Sequence, residues 1–206
     1  FNDRIGQHRN VIAAAKAAGV KRLIYTSILK GAASPMILAQ DHIETEAALA
    51  ASGLSVTVLR NGWYTENYLG ALPAVLEHGA LSGAAGEGRL STAARADFAE
   101  AIAVTALDAA HDGQIYELAG DVSYTLADLA TEIAAQSGKP VAFVNLPQAE
   151  YAKALEGFGL PAGFAAVLAD SDARDGEGAL FDDSRTLSRL IGRPTTPMAD
   201  TLRATL

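Results

Sequence analysis

One segment of the chain gathers side chains that suit the binding of a flat, polar aromatic ring. Residues 60–68 read RNGWYTENY and contain the only tryptophan, two of the six tyrosines and two asparagines. Flat π surfaces beside amide and hydroxyl groups suit an aromatic ring that bears a carboxamide. The alternative is that Trp63, Tyr64 and Tyr68 only pack the end of a sheet against the next helix. Because the segment follows a predicted strand, we favour the binding role.

Alternating helices and strands must position this segment. Apolar spacing predicts a helix from about Gln7 to Ala18 and another at 38–51, and short apolar runs predict buried strands at 22–27 and 54–60. Such alternation over short connections is typical of βαβ crossovers and of an α/β fold with a doubly wound, Rossmann-like parallel sheet. Ligands of these sheets bind outside the carboxyl ends of the strands, which is where the aromatic segment begins.

The residue pattern in the second half of the chain is more mixed and predicts a smaller, mainly helical substrate domain. We assign 1–120 to a partial dinucleotide-binding domain and 121–206 to the smaller cap region, with some segments interleaved. The acidic stretch 170–183 lacks the spacing of a calcium loop and predicts a solvated loop or a lid. The remaining predicted elements are helices at 67–78, 96–109 and 125–136, the last with Thr125 and Asp128 as an N-cap pair, strands at 114–118 and 141–145, and a glycine-rich loop or edge strand at 79–89.

Composition argues against several classes of function. With 16 basic and 24 acidic residues the net charge is −8, which repels a phosphate backbone, so nucleic acid is not an expected partner. The absence of cysteine removes disulfides and thiolate chemistry, and the histidines have no partners at metal-ligand spacing, so no metal site is predicted. No apolar run approaches the roughly 18 residues of a membrane span, and no export signal is visible at the start. We expect a soluble, cytoplasmic protein without a membrane partner.

Five segments together carry a resemblance to a known family. They are 7–21 (QHRNVIAAAKAAGVK), 25–27 (YTS), 41–64, 181–184 (FDDS) and 190–196 (LIGRPTT). They closely resemble the NmrA-like branch of the atypical short-chain dehydrogenase/reductases, and within it most resemble the type 2 NAD(P)H:quinone oxidoreductases and the triphenylmethane reductases. The resemblance implies reduction of quinones by hydride transfer from NAD(P)H, without flavin or metal. As a family-based expectation, NADPH is preferred to NADH.

The resemblance also implies roles for individual residues. The segment after the sixth strand of the family sheet lies along the nicotinamide half of the cofactor, which here implicates Asn61, Gly62, Trp63, Tyr64, Thr65 and Glu66. Ser27 is the counterpart of the superfamily's active-site serine, or else a strand-end hydroxyl that caps the next turn. The superfamily's Tyr-x-x-x-Lys pair falls at Leu38 and His42, and neither residue matches. Phenol-based reduction of ketones is therefore not expected.

Quinones remain suitable substrates because they accept hydride readily and their oxyanions are weakly basic. Solvent or His42 would then supply the proton, with His42 acting as a ribose contact or a weak acid, or else only bonding a neighbour. The candidate catalytic side chains are therefore Ser27, His42 and Tyr64. Phe158, Phe164 and Phe181 are candidates for an apolar substrate wall, with satellite core packing as the alternative.

One part of a dinucleotide-binding fold is not found. Gly-x-x-Gly-x-x-Gly turns hold the pyrophosphate, whereas the glycine-rich 83–88 follows no buried strand and opens no apolar helix, so we reject it as the phosphate loop. The chain resembles the family from just after its fourth strand, that is, the C-terminal part of the doubly wound sheet.

Three interpretations stay open. The first is a quinone reductase whose first half-sheet is disordered, cleaved or omitted, and the second is a non-catalytic, NAD(P)-sensing regulator. The third is a truncated chain that pairs its sheet edge with another subunit, which would make a homo-oligomer. We favour the first, and expect residues 1–206 alone to bind NAD(P)H no better than about millimolar and to be nearly inactive.

Overall fold

The structure is a computed structural model that describes residues 3–206. Its strands are β1 (Arg22–Ile28), β2 (Ser55–Asn61), β3 (Ala80–Gly83), β4 (Ile115–Leu118) and β5 (Ala142–Asn145). Its helices are α1 (Arg4–Ala17), α2 (Ala39–Ala51), α3 (Thr65–Leu69), α4 (Leu72–His78), α5 (Arg95–Leu107), α6 (Leu126–Ser137), α7 (Gln148–Gly157), α8 (Ala162–Asp175), α9 (Thr186–Ile191) and α10 (Met198–Thr205). Helices alternate with strands up to β5, except that α3 and α4 both lie between β2 and β3, and only helices follow β5.

A parallel sheet in the order β1-β2-β4 forms the framework of the site. β1 and β2 pair from Arg22 opposite Ser55 to Ile28 opposite Asn61, so the predicted parallel pairing is confirmed. β4 adds to the other side of β2 in the same direction. Parallel strands place all of their carboxyl ends at one edge, and the crossover helices cover the faces. The predicted α/β class and Rossmann-like sheet are confirmed.

A second, two-stranded sheet joins segments that lie far apart in the chain. β3 pairs in parallel with β5, with Ala80 opposite Ala142. The glycine-rich stretch that predicted a loop or an edge strand therefore contains a strand. α6 packs beside this sheet and begins with the predicted capping box, in which Thr125 Oγ1 accepts from the Asp128 backbone N–H at 3.1 Å. The division at residue 120 stays a prediction, since this sheet combines strands from both predicted regions.

Two local predictions are wrong. The helix predicted at 67–78 is two helices, α3 and α4, because the chain breaks at Gly70 and Ala71 before Pro73 opens α4. The acidic stretch was predicted as a solvated loop or lid, yet much of it lies inside α8. Its Asp170, Asp172 and Asp175 are buried, with 2%, 5% and 0% of their surface exposed. Their burial results from tertiary contacts, which the charge pattern does not encode.

No helix within residues 3–206 combines the length and the apolar character that crossing a membrane requires.

Candidate active site

A cavity of about 1040 Å³ opens at the carboxyl ends of β1 and β2. Side chains of β1 and α2, together with the segment that follows β2, form what we call the strand-end wall. Side chains of α7, α8 and the turn between them form the helical wall. Members of the strand-end wall are Tyr25, Ser27, His42, Asn61, Gly62, Trp63 and Tyr64, and members of the helical wall are Tyr151, Leu155, Phe158, Leu160, Phe164, Val167, Leu168 and Asp172.

The cavity brings together most of the residues that the sequence singled out. Ser27 and His42 line it, as do the residues from Asn61 to Tyr64. Thr65 and Glu66 lie behind the wall, at the start of α3. Thr65 is fully buried and shares a 2.7 Å hydrogen bond with Thr92. Glu66 accepts a hydrogen bond from the Arg95 backbone N–H at 2.9 Å, so both residues secure the backbone of the segment.

Asn61 presents an unsatisfied acceptor at the strand-end wall. Its side chain is 3% exposed and donates through Nδ2 to Tyr64 Oη at 3.3 Å. Its Oδ1 is buried and accepts no hydrogen bond within the part of the chain that the structure describes. The next residue, Gly62, donates its N–H to Leu118 O at 2.7 Å, and a Cβ on Gly62 would lie only 3.1 Å from that oxygen. This close approach fixes the segment on the end of the sheet.

A charged cluster beneath the wall orients Ser27. The Ser27 hydroxyl donates to Glu46 Oε1 at 2.5 Å, and Arg60 donates to Glu46 Oε2 at 2.6 Å and to Glu117 Oε1 at 2.9 Å. Burial alone would raise the pKa of Glu46, but the hydrogen bonds from Arg60 and Ser27 outweigh it and lower that pKa. Glu46 is thus a carboxylate that holds the Ser27 hydrogen, and Ser27 Oγ meets the cavity as an acceptor.

His42 is an uncharged member of the wall. It shares a 2.8 Å hydrogen bond through Nδ1 with Tyr25 Oη. Burial, followed by the nearby positive charges of Arg4 and His8, lowers the pKa of His42 to about 4. It is therefore neutral near pH 7 and carries no imidazolium proton to donate. Sequence reasoning missed Tyr25, although its position two residues before Ser27 on a strand places both on one face.

Arg95 is a second residue that sequence reasoning missed. It lines the cavity at the start of α5, and its guanidinium carbon lies 4.4 Å from the centroid of the Tyr64 ring. It also donates to Asn67 Oδ1 at 2.6 Å, and the Tyr64 ring packs edge-on against Phe98 at 5.1 Å. These contacts hold the Tyr64 ring at the wall. No local pattern in the sequence marks Arg95, because it reaches Tyr64 and Asn67 across the fold.

The helical wall is mainly apolar and carries one buried acid. Phe158 and Phe164 line the cavity, whereas Phe181 lies away from it. Between the two walls, Tyr68 donates to Asp172 Oδ1 at 3.0 Å. The cavity therefore offers hydrogen-bonding groups on one side and a largely apolar surface on the other, an arrangement that suits a planar ring placed between them.

The fold and the site together define a class of protein. The chain belongs to the NmrA-like family, whose model matches residues 1–198. It is 56% identical over 199 residues to quinone oxidoreductase 2 of Escherichia coli K12, covering 97% of this chain and 70% of that protein.

Solved structures agree with this assignment. The E. coli NADPH-dependent quinone oxidoreductase complexed with NADPH matches with a TM-score of 0.96 and 55% identity, over 99% of this chain and 72% of that one. The Citrobacter sp. triphenylmethane reductase complexed with NADP(H) matches with a TM-score of 0.92 and 31% identity, over 100% of this chain and 74% of that one. The negative transcriptional regulator NmrA, at 17% identity and a TM-score of 0.74, shares the fold.

Proposed function

We infer that this protein is an NADPH-dependent quinone oxidoreductase that reduces quinones by hydride transfer. The observation that carries this conclusion is the pairing of a hydrogen-bonding strand-end wall with an apolar helical wall across one cavity. The relatives favour an enzyme over a regulator, since identity is 56% to a quinone oxidoreductase and 17% to the NmrA regulator. The regulator interpretation is therefore set aside.

We place the nicotinamide ring of the cofactor on the strand-end wall. When bound, NADPH supplies the hydride. Among the described residues 3–206, Asn61 Oδ1 is a buried acceptor without a donor, and a carboxamide N–H is a partner of the right chemistry. Trp63 adds a flat ring beside it, and Ser27 Oγ is a further acceptor because its own hydrogen is held by Glu46. These groups bind and orient the ring.

The helical wall would then hold the quinone. Phe158 and Phe164 present apolar surface to the cavity, and their burial against a flat ring excludes water from the reacting atoms. A quinone on the helical wall has apolar side chains on one face and turns its other face to the nicotinamide on the strand-end wall. This geometry is what transfer between two stacked rings requires.

The predicted catalytic side chains act by positioning in this proposal. Ser27 offers an acceptor, and Tyr64 is fixed through its Asn61 and Arg95 contacts. His42 is neutral and holds Tyr25, so it orients the wall without acting as a cationic acid. The remaining two residues of the predicted cofactor segment, Thr65 and Glu66, support the wall from behind.

Three further expectations remain predictions. We expect a cytoplasmic location, which cell fractionation tests. We also expect assembly into a homo-oligomer, which light scattering tests. Weak cofactor binding by residues 1–206 alone is tested by calorimetric titration with NADPH. Micromolar or tighter binding would show that other groups of this chain replace the glycine turn at the pyrophosphate.

The activity itself is tested on protein expressed from its complete reading frame. Anaerobic mixing with NADPH and a benzoquinone is expected to consume NADPH absorbance well above the uncatalysed rate, with one hydroquinone formed per NADPH oxidised. No absorbance loss above the uncatalysed rate would contradict the assignment and restore the regulator interpretation.

A further inference from the structure

Asp172 is a buried carboxyl group held in place at the cavity. Its Oδ1 accepts from Tyr68 Oη at 3.0 Å, and its Oδ2 accepts from the Ala84 backbone N–H at 2.6 Å. Both Tyr68 and Asp172 line the cavity. Gly83 makes room for the group, because a Cβ there would lie 2.8 Å from Asp172 Oδ2. The carboxyl group is therefore fixed between the backbone after β3 and a phenol at the cavity.

Within the part of the chain that the structure describes, no cation forms an ion pair with this group. Within residues 3–206, no Lys or Arg forms an ion pair with Asp172 or with Asp175, its neighbour one helical turn further along α8. Burial raises the pKa of Asp172. Burial, followed by the charge of Asp172, raises the pKa of Asp175 to about 7. Such a pair titrates as a unit and retains a proton near neutral pH.

The other titratable groups nearby do not remove that proton. Tyr68, Tyr124 and Tyr151 are uncharged neighbours of the acidic pair from α3, the segment before α6, and α7, since burial raises the pKa of each. The charge of Lys30 lowers the pKa of Asp175, but this effect is smaller than that of burial, and the Lys30 ammonium group donates to the Gly178 carbonyl oxygen. The third acid of α8, Asp170, accepts from the backbone N–H of Ile37 at 2.8 Å and lies 3.5 Å from Arg174 Nε.

We propose that Tyr68 and Asp172 form the proton relay of quinone reduction, in which Tyr68 Oη donates to the quinone oxygen and Asp172 Oδ1 returns a proton to Tyr68. The proposal rests on the proposed function and assigns to its site a proton source that His42, being neutral, does not provide. Because Oδ2 accepts the Ala84 N–H, Oδ1 is the oxygen that exchanges a proton with the phenol. Tyr68 donates to Oδ1 in the resting site, and when the phenol hydrogen turns to the quinone, the proton held by the Asp172 and Asp175 pair reaches Tyr68 through Oδ1.

The atoms and electrons of this step balance. The hydride brings the electron pair to the quinone, and the hydroquinone monoanion that results needs one proton. An O–H bond forms to the quinone oxygen as the Tyr68 O–H bond breaks. The Asp172 O–H bond then breaks and restores the phenol. A water proton entering through the cavity recharges Asp172, so the net reaction consumes one quinone, one NADPH and one proton.

Two variants test the relay. Tyr68→Phe removes the donor, and Asp172→Asn keeps the side-chain volume and an acceptor for Tyr68 but has no acidic proton to release. With a methyl-substituted benzoquinone, whose oxyanion is more basic, kcat is expected to fall about 100-fold in each variant. Tyr116→Phe is the matched control, since its hydroxyl contacts His111 at 2.7 Å and lies outside the cavity. It is expected to leave kcat unchanged.

The choice of acceptor separates proton donation from packing. Chlorinated benzoquinones give weakly basic oxyanions that need little help from an acid, so the kcat loss in both variants is expected to shrink toward a few-fold. A purely structural hydrogen bond between α3 and α8 would instead lower kcat by the same factor for every quinone. That result, or an unchanged kcat with the methylated quinone, would overturn the relay.

A binding measurement without cofactor completes the test. Quinone quenching of Trp63 fluorescence, measured by titration in each variant, is expected to give a Kd within a few-fold of wild type. A Kd raised in proportion to the activity loss would assign Tyr68 to substrate binding and overturn the proposal. If wild-type protein fails to oxidise NADPH at all, the proposed function fails. If it is active and Tyr68→Phe is equally active, only the relay fails.

Discussion

The pKa values of two carboxyl groups, one at each wall of the cavity, shift in opposite directions. Behind the strand-end wall, Glu46 lies against Arg60 and Ser27, and their hydrogen bonds lower its pKa despite burial. At the helical wall, the hydrogen bonds that Asp172 accepts from the described residues come from a phenol and a backbone amide, and burial raises its pKa. The difference lies in the presence of a cation, since both groups are largely removed from water.

This contrast separates two tasks. A carboxylate paired with a guanidinium keeps its charge over a wide pH range and can hold Ser27 in one orientation. Burial raises the pKa of Asp172 at the helical wall, and it raises the pKa of Asp175, one turn further along α8, to about 7, so this pair exchanges a proton more readily near neutral pH than Glu46 does. The strand-end wall is thus a fixed scaffold, and the helical wall holds a transferable proton.

Removal of Arg60 should disrupt the charged cluster behind the strand-end wall and give the largest loss of unfolding free energy. Arg60→Met leaves Glu46 and Glu117 without their cation, and losing the shared partner of this partly buried cluster should cost about 2.5 kcal/mol of unfolding free energy, less than in a fully buried pair. Urea unfolding measures the change. The control is Arg203→Ala, whose pair with Asp200 is exposed and should matter by less than about 0.5 kcal/mol. Equal stabilities of the two variants would show that the charged cluster contributes little.

Substitution of Asp175 should stabilise the fold increasingly as the pH rises. Its folded pKa of about 7 exceeds the unfolded value near 3.9, so stability is full below the unfolded pKa and is lost as pH rises through the folded pKa. Asp175→Asn removes this loss, and its stability relative to wild type should improve by about 2 kcal/mol between about pH 5 and pH 8. Urea unfolding at both pH values is the measurement, and exposed Asp200→Asn should show no such trend.

Loss of the Asn61 amide should weaken cofactor binding. Asn61→Ala removes the acceptor assigned to the carboxamide, and one hydrogen bond of about 1.4 kcal/mol corresponds to a roughly tenfold higher Kd for NADPH. Titration calorimetry with NADPH measures the change on protein expressed from its complete reading frame, because residues 1–206 alone are expected to bind the cofactor weakly. Asn145→Ala is the matched control, because that amide accepts from the Gly86 N–H at 2.9 Å and lies outside the cavity. A tenfold loss in both variants, or in neither, would contradict this placement of the nicotinamide.

Substitution of His42 should change the pH dependence of stability least, and the change should have the sign opposite to that for Asp175. Its folded pKa of about 4 lies below the unfolded value near 6.5, so stability is full above the unfolded pKa and is lost as pH falls through the folded pKa. His42→Asn should reduce the loss between about pH 7 and pH 5 by about 1 kcal/mol, a figure discounted for partial exposure. A His42 imidazole titrating near pH 6.5 by NMR would contradict this prediction.

Features encoded in neighbouring residues were predictable from the sequence. The strands before Ser27 and before the aromatic segment follow from short apolar runs, and the start of α6 follows from the Thr125 and Asp128 pair. The aromatic segment was marked by composition alone.

Features that depend on contacts between distant segments were not predictable. Arg95 reaches Tyr64 from another helix, and α8 turns Asp172 and Asp175 inward against β3 and its neighbours. Charged residues usually indicate a solvated face, so the acidic stretch predicted exposed side chains. The fold instead buries Asp172 and Asp175.

Energy transfer from Trp63 tests the two-wall account most directly. With the protein saturated by NADPH, selective excitation of tryptophan should give strong emission from the bound dihydronicotinamide, because the account places that ring beside Trp63 on the strand-end wall. Trp63→Phe removes the only tryptophan of the chain, so its emission at saturating NADPH gives the background to be subtracted. Wild-type tryptophan emission that saturating NADPH leaves unquenched, with no nicotinamide emission above that background, would place the nicotinamide elsewhere and contradict the account.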